Sequence, residues 1–137
     1  VLEEIYCFSE DETMPYRQLN KYQEQTILTM TPGEMIVRLF EESEKQISYA
    51  LICIDEKKIQ GANDAFQKAQ RIFTYLKASL DFKYDVSKNL SALYDYFIRR
   101  LIDANISKTK EPAEEILPLV SELRETFQQG ERLARMA

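Results

Sequence analysis

The sequence predicts an all-α fold: an antiparallel up-and-down helical bundle of three long helices plus a C-terminal helix, with an N-terminal helical arm laid across it. Three observations carry this. The 137 residues contain only three glycines and four prolines, too little punctuation for the many turns of a β-sandwich or barrel. Apolar residues recur at alternating spacings of three and four, the period of a helix with one buried face. The third is the helix start at Thr31-Pro32-Gly33-Glu34. Thr31 caps, Pro32 fits the first helical position because its missing N–H has no helical partner there, and Glu34 stands where a capping box needs a carboxylate.

The helix from Thr31 places Ile36, Phe40, Ile47, Ala50 and Ile54 on one face, with Ser43 in step and a Glu41–Lys45 pair on the solvent side. It is expected to end near Lys57-Lys58, with Gly61 taking the left-handed position past its end. A second long helix, about 62–80, carries Ala62, Phe66, Ala69, Phe73, Leu76 and Leu80, its alanines admitting a close neighbour, and an outer Asp64–Lys68 pair. A third, about 87–105, carries Leu90, Leu93, Phe97, Leu101 and Ala104 with an Asp95–Arg99 pair. The C-terminal helix begins near Pro112 and presents Ile116, Val120, Leu123 and Phe127. Pro118 predicts a kink or a broken first turn there, which leaves a regular part of about 118–130 that stops at Gly130. Between residues 16 and 30, Leu19, Tyr22, Ile27 and Leu28 form a weakly amphipathic pattern, the arm.

Composition excludes much chemistry. Histidine is absent, which removes imidazole bases, His-bound zinc, Glu-x-x-His di-iron bundles and phosphohistidine relays. The glycines are isolated at 33, 61 and 130, so there is no phosphate-cradling loop, and no serine or cysteine has a base and an orienting partner in sequence. Adjacent carboxylates such as Glu41-Glu42 and Glu114-Glu115 diverge by about 100° on a helix, which suits solvation. The chain therefore reads as non-enzymatic, with no catalytic residue, no cofactor and no metal. A net charge of −5 and a pI near 4.9 disfavour nucleic acid and anionic lipid. The longest apolar run, Tyr49 to Ile54, is far too short to span a bilayer, so a cytosolic protein with no membrane insertion is expected. Cys7 and Cys53 form no disulfide framework, and Cys53 reads as a buried small hydrophobe.

Beyond one core stripe per helix, apolar and aromatic residues remain: Met35, Leu39, Tyr49 and Ile52, then Ile72 and Tyr75, then Tyr94, Tyr96, Ile98 and Ile102. Either these bury against the arm and the C-terminal helix, or they form a surface that holds another polypeptide. Eight tyrosines in an acidic chain favour such a surface, since tyrosine pairs a large contact area with a polar tip.

Several blocks carry a family resemblance. Tyr22-Gln23, Thr31-Pro32-Gly33-Glu34-Met35 and Leu39-Phe40-Glu41 resemble the opening of the FliS family of flagellar export chaperones, which bind flagellin. Leu80-Asp81, Lys88-Asn89-Leu90-Ser91-Ala92-Leu93-Tyr94-Asp95-Tyr96, Arg99-Arg100-Leu101 and Ala104-Asn105 resemble its central signature, and Leu123-Arg124 with Phe127 its C-terminal one. The likeness covers about residues 16–130. Glu42-Ser43 replaces a glycine of the pattern, Phe127 a tryptophan, and Phe82-Lys83-Tyr84-Asp85 a glycine-rich turn. The resemblance implies a chaperone that binds the C-terminal segment of flagellin in the bacterial cytosol, prevents premature polymerisation and aids delivery to the flagellar export gate. A weak homodimer is a further expectation. Binding is assigned to Tyr22, Ile27 and Leu28 of the arm, Leu39, and Asn89, Tyr94, Ile98 and Ile102. The alternative reading is a helical-bundle adaptor or regulatory module for an unrelated amphipathic peptide.

Residues 1–15 form a leader that the resemblance does not reach, ahead of a single bundle domain at 16–137. Val1, Leu2, Ile5, Tyr6 and Phe8 space out one short apolar helical face before the acidic Ser9-Glu10-Asp11-Glu12-Thr13. Three readings stand for it: a mobile tail, a remnant added ahead of Met14, or a segment that occupies the binding groove of its own chain or of a neighbour.

Overall fold

The computed structural model describes Ile5, Tyr6 and residues 30–136. The arm and its Tyr22, Ile27 and Leu28 lie outside the described residues. Four helices follow one another: α1 (Pro32–Asp55), α2 (Ile59–Ala78), α3 (Asp85–Ser107) and α4 (Glu111–Met136). Packing runs round a ring, α1 on α2, α2 on α3, α3 on α4 and α4 back on α1. Short connections make neighbours antiparallel, which is the up-and-down order expected.

Local chemistry sets the ends. Thr31 is the N-cap of α1, its hydroxyl accepting the Glu34 N–H at 3.2 Å, with Pro32 in the first turn. At the other end Lys57, not Gly61, is left-handed, with φ 60°. The Lys58 N–H reaches the Cys53 carbonyl at 2.8 Å and the Lys57 N–H that of Ile54 at 3.1 Å, so the last carbonyls are closed by a Schellman motif. Gly61 instead lies inside α2, and a Cβ built on it falls 2.9 Å from Cys53 Sγ. Glycine is there for close approach of α2 to α1, not for a turn.

Two expectations for the C-terminal helix, a broken first turn and a stop at Gly130, are corrected. α4 runs unbroken from Glu111 to Met136, with Pro118 inside it. Pro118 and Glu114, whose carbonyl loses its N–H partner, are both exposed, so water can satisfy that carbonyl. Burial of Ile116, Val120 and Phe127 on the opposite side holds the helix together. Gly130 keeps a negative φ and ends nothing.

The three surface pairs also rearrange. Glu41 meets Arg38 at 3.3 Å, Asp64 accepts from Gln60 at 2.8 Å, and Asp95 crosses to Lys77 of α2 at 2.6 Å. Exposed pairs contribute at most about 1 kcal/mol, so several partner choices are nearly equivalent.

The core contains an aromatic cluster to which all four helices contribute. Phe40 stacks on Phe127 with centroids 5.2 Å apart, and Phe73 meets Phe97 at 5.2 Å and Tyr94 at 6.1 Å. Met35, Leu39, Ile72, Tyr75 and Tyr94, surplus to single stripes, are all buried. Each helix of a four-membered ring touches two neighbours, so its apolar face must be wider than one stripe. Cys53 is a buried free thiol, as its surroundings predicted.

Candidate functional site

Of the four seams, α3 against α4 is the least intimately packed. Its half nearer the α3–α4 connection is tied by charge: Arg100 Nε lies 2.7 Å from Glu115, which also accepts from the Tyr96 hydroxyl. The Tyr96 bond holds the Glu115 carboxyl below the ordinary carboxylate range, ahead of the Arg100 charge. At the other half, where α3 begins, the seam is filled by a segment from far away in sequence.

That segment is Ile5-Tyr6. The Tyr6 ring is buried at 5% accessibility, its centroid 6.1 Å from that of Phe127 on α4, and its hydroxyl hydrogen-bonds the hydroxyl of Tyr94 on α3. Tyr6 also forms an isolated antiparallel bridge with Leu80, and the Asp81 N–H donates to the Ile5 carbonyl at 2.6 Å. At Tyr6 the backbone thus pairs as a strand does, while Ile5 just before it is in 3₁₀ conformation.

The receiving surface is built by the α2–α3 connection. Asp81 is anchored from three sides: its carbonyl accepts from Ser87 Oγ at 2.7 Å and from the Tyr84 N–H at 3.3 Å, and its carboxylate from the Lys83 N–H at 3.1 Å. This fixes the direction of the Asp81 N–H. The connection contains no positive-φ residue, so Phe82-Lys83-Tyr84-Asp85 needs none of the glycines that the resemblance led one to expect.

Burial pushes both phenols up, Tyr94 well above the ordinary tyrosine value, and the mutual hydrogen bond opposes the shift at Tyr6 while adding to it at Tyr94. Both are neutral at physiological pH, as a donor–acceptor pair requires.

The other assigned residues are spread by depth. Leu39 is buried at 1% against the core and Tyr94 is fully buried. Ile98 is half-buried and packs on the core, Ile102 is 39% exposed, and Asn89 is exposed on the first part of α3. The progression from Tyr94 through Ile98 to Ile102 follows from helix geometry. Steps of four residues turn about 40° beyond a full circle, so one ridge rotates from core to solvent. Tyr49 and Ile52 of α1 are also about half exposed. Sequence reasoning did not single out Leu80 and Phe127 as walls of this pocket. The signal available for it was the apolar Ile5 and Tyr6 of the leader.

Comparisons with known proteins agree with this architecture. A flagellar chaperone of bacterial origin, known from its crystal structure, superposes with a TM-score of 0.69 at 18% identity, over 85% of this chain and 97% of that one, which speaks to the fold. The flagellar secretion chaperone FliS of Bacillus subtilis strain 168 is 32% identical over 109 residues, 80% of this chain and 82% of the relative. That of Salmonella typhimurium is 31% identical over 109 residues, 77% of this chain and 81% of the relative. The family described as "Flagellar protein FliS" matches residues 15–133. With a family match across most of its length and relatives above 30% identity along the same stretch, the chain belongs to the FliS family.

Proposed function

We propose that the α3–α4 seam, continued along the ridge Tyr94–Ile98–Ile102, holds the C-terminal segment of flagellin. As a FliS family member the chain is a flagellar secretion chaperone. The observation that carries the finer reading is that the seam already buries the Tyr6 side chain of a segment outside the helices, through backbone pairing and an apolar pocket. A client segment seated in this way keeps its assembly-prone apolar residues from other flagellin copies, and release at the export gate returns them. No helix among the described residues is long and apolar enough to cross a membrane, and we place this work in the bacterial cytosol. The leader docks on the single bundle domain at 16–137 through Ile5-Tyr6, and any homodimer is weak.

Binding of an unfolded segment must offset an ordering cost of several kcal/mol, so an extended contact along a ridge suits the task better than one pocket. The test is calorimetric titration of the full chain with a flagellin C-terminal peptide and, separately, an unrelated amphipathic peptide of equal length. Saturable binding of the first alone is expected; equal binding of both would favour a general adaptor.

A further inference from the structure

The end of the bundle that carries the α1–α2 and α3–α4 connections holds a cavity of about 250 Å³, walled by Cys53, Ile54, Ile59 and Ala62 and bordered by Lys57 and Lys108. An ion pair of Asp55 with Lys110 at 2.9 Å and a hydrogen bond from Asn105 to Asn63 at 3.0 Å fasten the elements at this end. Ile59 is 66% exposed, so the cavity is reached from solvent. A volume below the roughly 300–1,000 Å³ of small-molecule sites suits one inserted side chain. Walls of aliphatic groups and a thiol suit an aliphatic one.

Charge on the border is unbalanced. The two connections carry four lysines, of which Lys58 pairs with Glu56 and Lys110 with Asp55, each at 2.9 Å. Among the described residues Lys108 Nζ meets neutral acceptors, the carbonyl and side-chain oxygens of Asn105, and Lys57 meets no carboxylate. Both of these lysines have left-handed backbones, with φ 60° and 53°, where glycine is the least strained residue. In a chain of net charge −5, two turns thus carry uncompensated cations beside one apolar opening.

We infer that this cavity docks a partner polypeptide other than the client, through one aliphatic side chain flanked in sequence by carboxylates. One cation comes from each connection, so acidic residues before and after the inserted one both have a lysine to meet. The client ridge ends at Ile102 on α3, whereas the apolar walls of this cavity belong to α1 and α2. The Tyr6 pocket lies at the opposite end of the bundle, about 35 Å away along the 23 residues of α3. Client and partner can therefore be held together. Burial of the aliphatic side chain supplies affinity, and the lysines select an acidic partner over a basic one. The inference goes beyond the proposed function and does not rest on it.

The experiment follows backbone amide shifts of the isotope-labelled full chain by nuclear magnetic resonance while a blocked peptide is added, a central leucine with two glutamates on each side and a glycine at each end. Saturable shifts at Cys53, Ile54, Ile59 and Ala62 are expected. Exchanging the leucine for serine should weaken binding about tenfold, and exchanging the glutamates for lysines should weaken it about as much. Lys57→Glu should weaken the glutamate peptide about fivefold and strengthen the lysine peptide by a similar factor. Lys57→Gly suits the left-handed backbone and is the second variant: it should keep its helical circular dichroism and weaken the glutamate peptide about threefold. No shift at the cavity residues, or shifts indifferent to the leucine or to residue 57, overturns the site. Shifts there that grow with chain concentration alone would make the occupant a second copy, and displacement of the probe by a flagellin C-terminal peptide would make it the client. Either result overturns the choice of partner.

Discussion

At the scale of single residues, two contacts have consequences that can be measured. The Cβ position of Gly61 lies 2.9 Å from Cys53 Sγ, so Gly61→Ala sets a gain in helix propensity of about 1 kcal/mol against an overpacking cost of about 1–3 kcal/mol. We expect net destabilisation in the unsubstituted background, and net stabilisation of about 0.5–1 kcal/mol when Cys53→Ala has removed the sulfur. Urea midpoints of the four proteins in this cycle provide the check. The Tyr6–Tyr94 pair makes a different prediction, about pH. Both phenols are held above their ordinary value of 10.0 chiefly by burial, so they stay protonated in the folded chain while those of the unfolded chain ionise. Their contribution is fully present below pH 10 and is lost as pH rises beyond it, by up to about 1.4 kcal/mol per pH unit for each group. Stability measured by denaturant titration should fall above pH 10, with a shallower slope in Tyr94→Phe.

At the scale of elements, α4 shows which signals a helix can override. Pro118 removes one ladder hydrogen bond, yet the helix is continuous because the loss falls on its wet side while three large apolar residues hold the dry side. Pro118→Ala should restore the Glu114 carbonyl's partner and stabilise the fold by about 1–2 kcal/mol. This is less than the full ~3 kcal/mol penalty of an interior proline, since the unfolded chain also regains freedom. A shift of the thermal midpoint by several degrees would show it, and an unchanged or lower midpoint would mean that the proline is needed for the shape of α4. Asp55 of α1 meets Lys110 at 2.9 Å, just before α4, while Arg124 and Ser121 of α4 both reach Glu44 of α1. The α1–α4 seam is thus clasped from Glu44 to the end of α1, while the start of α1 and the end of α4 leave a cavity between them lined by Glu34, Arg38, Glu131 and Arg135.

At the scale of the whole molecule, the bundle holds Tyr6 in one half of the α3–α4 seam, and the ridge Tyr94–Ile98–Ile102 runs from that pocket toward solvent. The ridge leading from that pocket should contribute affinity without contributing stability. Ile102→Ala, at an exposed position, is expected to change the urea midpoint by less than about 0.5 kcal/mol and to weaken binding of the flagellin peptide by about 1–2 kcal/mol, five- to thirtyfold. Calorimetry on the folded variant decides it. Tyr94→Ala would be a poor choice for the same purpose, because a fully buried aromatic side chain costs about 3–5 kcal/mol of fold stability when truncated.

Helical class, the capped start at Thr31, the core residues Phe40, Phe73 and Phe97 and the order of the helices were all legible in the sequence, because periodicity and capping are local and act within a turn or two. The match of Lys88 to Tyr96 made the family legible as well. Only tertiary structure decided what depends on distant neighbours. Gly61 has the same local preferences in a turn as in a helix start, and it was the proximity of Cys53 that selected the second. Tyr94 and Leu39 could be surface or core by spacing alone, and a ring of four helices gave each helix two partners to bury against. The pocket joins Tyr6, Leu80, Tyr94 and Phe127, which are spread over some 120 residues of chain, and no local pattern specifies which aromatic residues meet across a seam.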